Sequence, residues 1–282
     1  MEDIRTHAVR EFQNNQDEDD FCVEEIRRVG YTVVDSGLSA NELQLIRDKI
    51  DVIYDRQVRE IGDLERLGRI NDTDVARCLI GYDDYFVKLA AHPRIISIGR
   101  KLMGEHFILM SQNGIINRPA GGQYQVTWHR DLNYQHFVSS RPLAFSALYA
   151  IDEFSSETGG TYVLPGSHQL EVFPSPEYVR KHFKIMDAKP GAILIFDAMI
   201  YHRTGINTAS ITRRAVNHIY TLPLIKQQIS FPRMLNGKFR DDPFLGRFLG
   251  YESETGENVQ EWRENKLALA EVGLLTSGPP RA

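Results

Sequence analysis

A histidine and an aspartate two positions apart, His129 and Asp131, are the residues of this chain best suited to hold a metal. The surrounding residues predict a β-strand over 124–131, and in an extended strand the side chains at positions i and i+2 point to the same face. An imidazole nitrogen and a carboxylate oxygen would then meet at one point, and together they suit a divalent metal of intermediate hardness. The pair alone is weak support, because a chain with nine histidines will often place an Asp two residues after one of them.

A third ligand would turn this pair into a metal site, and His202 is the best candidate. It lies just beyond the apolar strand predicted over 192–196, at the mouth of a barrel, where ligand sites concentrate. Two histidines and one carboxylate form the ligand set of the non-haem Fe(II) oxygenases, which leaves coordination positions open. Spacing alone does not exclude the other histidines that compete for this role, namely His136, His168, His182 and His218.

Two adjacent arginines, Arg213 and Arg214, stand at the start of the strand predicted over 214–222. Their side chains alternate along a strand, so one of the two is expected to be exposed. A guanidinium directed into a cavity is costly unless it meets an anion, and its fork geometry suits a carboxylate. The pair therefore indicates a ligand that carries a carboxylate.

Helices are predicted to come first in the chain and strands to follow. The motif Ser39–Glu42 resembles a capping box that opens a helix with apolar residues at helical spacing, and residues 84–102 predict one or two helices interrupted at Pro93. Strands are predicted over 30–34, 107–117, 124–131, 143–151, 160–164, 192–196 and 214–222. Because turn residues separate them at barrel-like spacing without intervening helices, we expect a closed or sandwich-like β-barrel behind helical cover.

Composition narrows the class of protein. The chain has 282 residues and a net charge of −5, which offers no general attraction to nucleic acid or to anionic membranes. Two cysteines without metal-binding spacing indicate free thiols in a reducing compartment, and no apolar run is long enough to span a bilayer. We therefore expect a cytoplasmic protein that acts on a small molecule, with a solvated start over residues 1–20.

Several ordered motifs make the chain resemble the phytanoyl-CoA dioxygenase family of Fe(II)- and 2-oxoglutarate-dependent oxygenases. The resemblance covers roughly residues 22–222 and includes the histidine–aspartate pair, a distal histidine and a following arginine. The segments that carry it are 30–34, 116–119, 128–131, 159–168 and 202–207. It implies a double-stranded β-helix, also called a jelly roll or cupin-like fold, as the core of a mainly β protein.

The same resemblance implies a cofactor set and roles for individual residues. Fe(II) would be held by His129, Asp131 and His202, with 2-oxoglutarate and O₂ as cosubstrates. Arg213 would bind the distal carboxylate of 2-oxoglutarate, assisted by Thr204. Weaker candidates for contact with 2-oxoglutarate are Thr161, Asn117 and Gln112. Apart from the resemblance, Tyr124, Asn133, Tyr134 and His136 flank the ligands and are candidates for contact with the substrate, although alternate members of the strand must face away.

The predicted organisation is a single oxygenase domain over residues 1–282. It has helical cover over about 1–105, the β-helix core over about 106–222, and a C-terminal lid or interface segment over about 223–282. The expected reaction is hydroxylation of an unactivated C–H bond of a small metabolite, with natural-product biosynthesis as one setting. Two alternatives stay open: a cupin-like binding protein without turnover, and a hydrolase or isomerase that uses another metal at the same three ligands. The substrate and the oligomeric state are not encoded in these patterns.

Overall fold

The protein, seen in a computed structural model, is described over residues 7, 17–119, 126–133 and 135–271. It divides into two compact units, residues 1–229 and 230–282. In the described part of the chain, all strands belong to the first unit. They are β1 (Tyr31–Asp35), β2 (Val75–Arg77), β3 (Ile108–Asn117), β4 (Ala144–Ala150), β5 (Thr161–Val163), β6 (Lys184–Met186), β7 (Ala192–Asp197), β8 (His202–Thr204) and β9 (Arg213–Thr221).

Two antiparallel sheets form the core of the first unit. The larger has the strand order β1-β7-β4-β9-β3-β2, and the smaller has the order β6-β5-β8. Apolar side chains from both sheets pack into one cluster, with Leu148 and Phe196 from the larger sheet and Val163 and Met186 from the smaller. Non-consecutive neighbours in both sheets and a shared core define a jelly roll. The prediction of a double-stranded β-helix is therefore confirmed.

Helices precede most of this core, as the sequence predicts. They are α1 (Glu18–Val29), α2 (Ala40–Ile61), α3 (Leu64–Arg69), α4 (Tyr85–Ala90) and α5 (Pro93–Met103), and α6 (Pro176–His182) lies between β5 and β6. The capping box at the start of α2 is present, with Ser39 and Glu42 each accepting a hydrogen bond from the other's backbone N–H. The apolar residues at helical spacing in α2 are buried, which is the reason this helix covers the sheet.

Two side chains show which face of the larger sheet the helices cover. The Tyr149 hydroxyl on β4 donates to the carbonyl of Leu89, and the Tyr220 hydroxyl on β9 donates to that of Ala90, both at 2.9 Å. Since side chains alternate along a strand, Leu148 and Asn217 point to the opposite face. That opposite face is the interior of the jelly roll.

The structure differs from the sequence-based expectation in two segments. The acidic residues 17–20 begin a helix, although Asp17 and Glu18 are exposed as expected, and most of the predicted start before them lies outside the described residues. Asp17 caps α1 and the next three residues form its first turn, where carboxylates are favoured by the helix dipole. The segment 126–131 is not a regular strand either, because its only ladder contact is an isolated bridge between His129 and His202.

The second unit is helical over its described residues. It contains α7 (Phe231–Leu235), α8 (Leu245–Phe248) and α9 (Val259–Glu271). The Ser230 hydroxyl caps α7 and also donates to the Glu254 carboxylate, which pairs with Arg233 at 3.0 Å. This network holds the beginning and the middle of the unit together. Its predicted role as a lid or an interface stays a prediction.

Among the described residues, no helix combines the length and the apolar character needed to cross a lipid bilayer.

Candidate metal centre

The first two candidate ligands lie on the segment 126–133, which is fixed to the smaller sheet by its backbone. His129 and His202 exchange both of their N–H···O=C hydrogen bonds, each at 3.0 Å. The N–H of Asp131 then donates to the carbonyl of Ala198 at 3.0 Å. These three bonds set the separation and direction of the three side chains, although the segment is irregular.

His129, Asp131 and His202 converge on one point. Each offers one ligand atom, and these atoms all lie within 4.8 Å of one another. His202 Nε2 is 3.6 Å from Asp131 Oδ1, and the two imidazole rings have centroids 4.4 Å apart. Two atoms that each lie about 2 Å from one ion are at most about 4 Å apart, so the 3.6 Å separation fits a shared ion.

Hydrogen bonds fix which ring nitrogen each histidine can offer. His129 Nδ1 lies 2.8 Å from the carbonyl of Thr127, and His202 Nδ1 lies 3.1 Å from that of Ile200. A carbonyl only accepts, so both Nδ1 atoms carry the proton and both Nε2 atoms have a free lone pair. Burial and the neighbouring imidazole of His129 lower the pKa of His202 to about 4. Its ring is thus neutral at pH 7, which is the state that binds metals.

Arg213 lies in the same pocket and is almost completely buried, with 1% of its surface exposed. Its Nε and Nη2 atoms have no hydrogen-bond partner among the described residues. Its guanidinium lies 4.4 Å from the centre of the Phe154 ring, and desolvation lowers its pKa to about 10. A buried cation with two free donors on one side is a preformed site for an anion.

These residues line one small pocket that opens to solvent. Thr161 and Thr204 both line it and face each other across β5 and β8, where they are register partners. Both threonines thus lie in the same pocket as the three ligands and Arg213, and their contact with 2-oxoglutarate stays a prediction. Apolar side chains complete the wall, and those are Ile115, Leu148 and Phe196.

Two other predicted contacts with the cosubstrate lie elsewhere. Gln112 is on the face of β3 that the helices cover, where its amide donates to the carbonyl of Phe86 and contacts His218 Nε2 at 2.8 Å. The Asn117 amide donates to the carbonyl of Gly205 at 3.1 Å and so ties the end of β3 to the turn after β8. The structure brings neither side chain into the wall of the pocket.

The four predicted substrate contacts are distributed differently. Tyr124 and Tyr134 lie outside the described residues. Asn133 and His136 are exposed and are not part of the pocket wall. Of the competing histidines, His218 is buried against the helices and His182 is exposed on α6. His202 is the histidine that the structure brings to His129 and Asp131.

Arg130, between the two ligands, is buried and packs away from the pocket. It donates to the carbonyls of Met199 and Ser167 at 2.8 and 3.1 Å, and its guanidinium lies 3.9 Å from the centre of the Tyr201 ring. The sequence analysis assigned it no role. In the structure it fastens the ligand segment to the turn before β8 and to the segment after β5.

Sequence reasoning missed two polar residues near the ligands, Ser146 and Asn217. Asn217 lines the pocket four residues after Arg213, so the alternation of a strand could have placed both on one face. Ser146 interrupts an otherwise apolar strand, which marks it as a polar group with a partner in the core.

The residues present fit a metal of the Fe(II) type together with a dicarboxylate. Two imidazoles and one carboxylate on one side of a site, with other positions open, are the ligand set of non-haem Fe(II) centres. Arg213 offers its unpaired donors in the same pocket. The donor set and the orphaned guanidinium thus call for a metal and an anion at the same site.

Comparison with known proteins places the chain in a sequence family. The model of the phytanoyl-CoA dioxygenase family matches residues 26–215. The uncharacterized protein Rv1501 of Mycobacterium tuberculosis is 31% identical over 241 residues, which are 83% of this chain and 87% of that protein.

Solved structures share the fold. EctD from S. alaskensis, solved with 2-oxoglutarate and 5-hydroxyectoine, is 20% identical and has a TM-score of 0.61, covering 76% of this chain and 79% of its own. The non-haem α-ketoglutarate-dependent epimerase SnoN from nogalamycin biosynthesis is 20% identical and has a TM-score of 0.55, covering 73% of this chain and 83% of its own. At this level of identity the two structures support the jelly roll alone.

Proposed function

The chain belongs to the phytanoyl-CoA dioxygenase family, and from this premise we propose that it is an Fe(II)- and 2-oxoglutarate-dependent dioxygenase. The observation that carries the proposal is a single pocket that combines three converging metal ligands with a buried, unpaired guanidinium. The three ligands suit iron, and the guanidinium suits a carboxylate of the cosubstrate. A metal hydrolase at the same triad would have no need for such an arginine.

Each pocket residue has a task in this proposal. His129, Asp131 and His202 hold Fe(II). The hydrogen bonds from the Nδ1 atoms of the two histidines keep their imidazoles in the tautomer that binds metal through Nε2. Arg213 binds the distal carboxylate of 2-oxoglutarate through its two free donors. Thr204 and Thr161 lie on the wall beside it and offer hydroxyls to the same cosubstrate. Apolar residues around the triad exclude water from the reacting atoms.

The expected overall reaction is hydroxylation of a small molecule. Bound iron would supply the activation of O₂, so that 2-oxoglutarate, O₂ and a substrate C–H bond give succinate, CO₂ and an alcohol. The proposal names the class of reaction and of substrate, and a substrate screen that follows succinate release would identify the compound.

The first experiment is an anaerobic titration of metal-free protein with Fe(II) and 2-oxoglutarate. The wild type is expected to develop the visible charge-transfer band of the iron–2-oxoglutarate chelate. His202→Ala should lose the band, because one of three ligands is removed. His182→Ala is the matched control, since this exposed histidine on α6 lies outside the site and its loss should leave the band intact.

A folded wild type that binds iron without developing the band would contradict the proposal. The alternatives of a binding protein or of a hydrolase with another metal would then be favoured. A His202→Ala variant that keeps the band would instead exclude His202 as a ligand.

A further inference from the structure

Ser146 is a fully buried serine in the middle of β4, with 0% of its surface exposed. It shares the inner face of the sheet with Leu148, which lines the pocket. Its register partners are Phe196 on β7 and Ile219 on β9, both apolar. A hydroxyl in such surroundings needs a partner, because an unsatisfied buried polar group is costly.

That partner is a metal-ligating carboxylate. The Ser146 hydroxyl donates to Oδ2 of Asp131. The other oxygen, Oδ1, is the one that faces His202 Nε2 at 3.6 Å. The two oxygens of Asp131 are therefore in different situations: one is held by the sheet, and the other is directed at the point where the ligands converge.

We propose that Ser146 is a positioning residue that keeps Asp131 a one-oxygen ligand and so preserves a free coordination position on the metal. The inference rests on the proposed function. Carboxylates bind metals through one oxygen or through both. An octahedral ion bound to three protein atoms and two oxygens of 2-oxoglutarate has one position left. A second oxygen from Asp131 would fill it and leave none for O₂.

The hydrogen bond opposes that second contact for a simple geometric reason. To chelate with both oxygens, Asp131 must turn Oδ2 from Ser146 toward the ion, which breaks a charge-assisted hydrogen bond and leaves the hydroxyl unpaired in an apolar wall. Without the hydroxyl, nothing at this position holds Oδ2 back. A merely structural role for Ser146 would affect folding and leave the number of free positions unchanged.

The test measures the free position directly, with nitric oxide as the probe. Fe(II) and 2-oxoglutarate are added anaerobically to each variant, the chelate band is recorded, and nitric oxide is titrated while the electron paramagnetic resonance signal of its iron complex is followed. Ser146→Ala is expected to keep the band and to bind nitric oxide about 10- to 100-fold more weakly than the wild type, the range by which loss of a group that orients a metal ligand lowers metal affinity or activity.

Ser111→Ala is the matched control. Ser111 is also a buried serine on the inner face of the same sheet and is the other register partner of Ile219, on β3. Its hydroxyl has no hydrogen-bond partner among the described residues. Removing it should leave both the chelate band and the affinity for nitric oxide at their wild-type values.

Three results would overturn the inference. The first is a Ser146→Ala variant with the chelate band and wild-type affinity for nitric oxide. The second is a folded Ser146→Ala variant that binds no iron, since Ser146 would then act on metal binding as a whole. The third, a wild type without a chelate band, would overturn the proposed function as well, and so the two failures are distinguishable.

A second substitution covers the case in which Ser146→Ala does not fold. Ser146→Cys keeps the size of the side chain and replaces the hydroxyl by a weak S–H donor. Its affinity for nitric oxide is expected to fall below that of the wild type, and an unchanged affinity would count against the inference.

Discussion

Replacing Arg213 by methionine should stabilise the ligand-free protein and abolish its response to 2-oxoglutarate. Methionine has a similar length and no charge. Burial lowers the pKa of Arg213 from 12.5 to about 10. One pKa unit corresponds to about 1.36 kcal/mol, so burial without a bound anion costs the charged side chain on the order of 3 kcal/mol. The cost is fully present at pH 7 and is relieved only as the pH rises through 10, because the folded-state pKa lies below the unfolded one.

This cost predicts two changes in the free energy of unfolding of Arg213→Met relative to the wild type, an increase without ligand and a smaller response to 2-oxoglutarate. Metal-free Arg213→Met should be more stable than the wild type by roughly 1–3 kcal/mol, since a buried unpaired charge is replaced by an apolar side chain. With Ni(II) in the site, 2-oxoglutarate at one hundred times its dissociation constant should stabilise the wild type by about 2.7 kcal/mol. The variant should gain almost none of this.

Urea denaturation of both proteins, with and without Ni(II) and 2-oxoglutarate, measures all four quantities. Arg214→Met is the matched control, because the neighbouring guanidinium pairs at 2.8 Å with Asp51 and faces away from the pocket. It should lose roughly 1 kcal/mol and keep the full response to 2-oxoglutarate. The reasoning would be refuted if Arg213→Met were less stable without ligand, or if 2-oxoglutarate stabilised it as much as the wild type.

Three further predictions concern the frame around the site. Gly159→Ala should cost roughly 2 kcal/mol more than Gly166→Ala in urea denaturation. Both glycines have φ +76°, but a Cβ at Gly159 would lie 2.4 Å from the Gly205 carbonyl oxygen, and one at Gly166 meets nothing within 4 Å; equal costs would contradict this. Burial lowers the pKa of His218 to about 3. As the pH falls below 6.5, the free energy of unfolding of the wild type should therefore decrease by about 1.4 kcal/mol per pH unit more than that of His218→Gln. Parallel pH profiles of the two proteins would exclude this. Tyr149→Phe should cost about 1 kcal/mol, because the carbonyl of Leu89 loses the buried hydroxyl that donates to it; a neutral result would show that the backbone N–H donors of Ala91 and His92 suffice.

Local signals made much of the fold predictable. The capping box and the helical spacing at the start of α2 depend on residues close in sequence, and both are present. Glycine and proline turns separated most of the strands of the core, and they marked the three-residue strand β5. Strands β2, β6 and β8 also have three residues each and escaped prediction, because so short a run has no readable alternation.

The alternation of side chains along strands predicted part of the site. Spacing placed His129 and Asp131 side by side, and the structure keeps them together although the predicted strand is replaced by an irregular segment with one bridge. Because side chains alternate along a strand, Gln112 and Asn113 point to opposite faces of β3. Which of these faces is the interior of the jelly roll depends on where the helices pack. That is a property of the whole fold, and it is the reason Gln112 lies outside the pocket.

The bridge between His129 and His202 has a consequence for how the protein unfolds. Asp131 and His202 are 71 positions apart in the sequence. A metal bound to both residues acts as a cross-link, and it closes the chain between them into a loop in every state in which the metal stays bound. By the entropy of loop closure, a link across so many residues restricts the unfolded chain by about 4 kcal/mol. A chelator would therefore do more than stop turnover. It would leave the irregular ligand segment held to the smaller sheet by the two backbone hydrogen bonds between His129 and His202 and by the Arg203 side chain, which donates to the carbonyl of Val126.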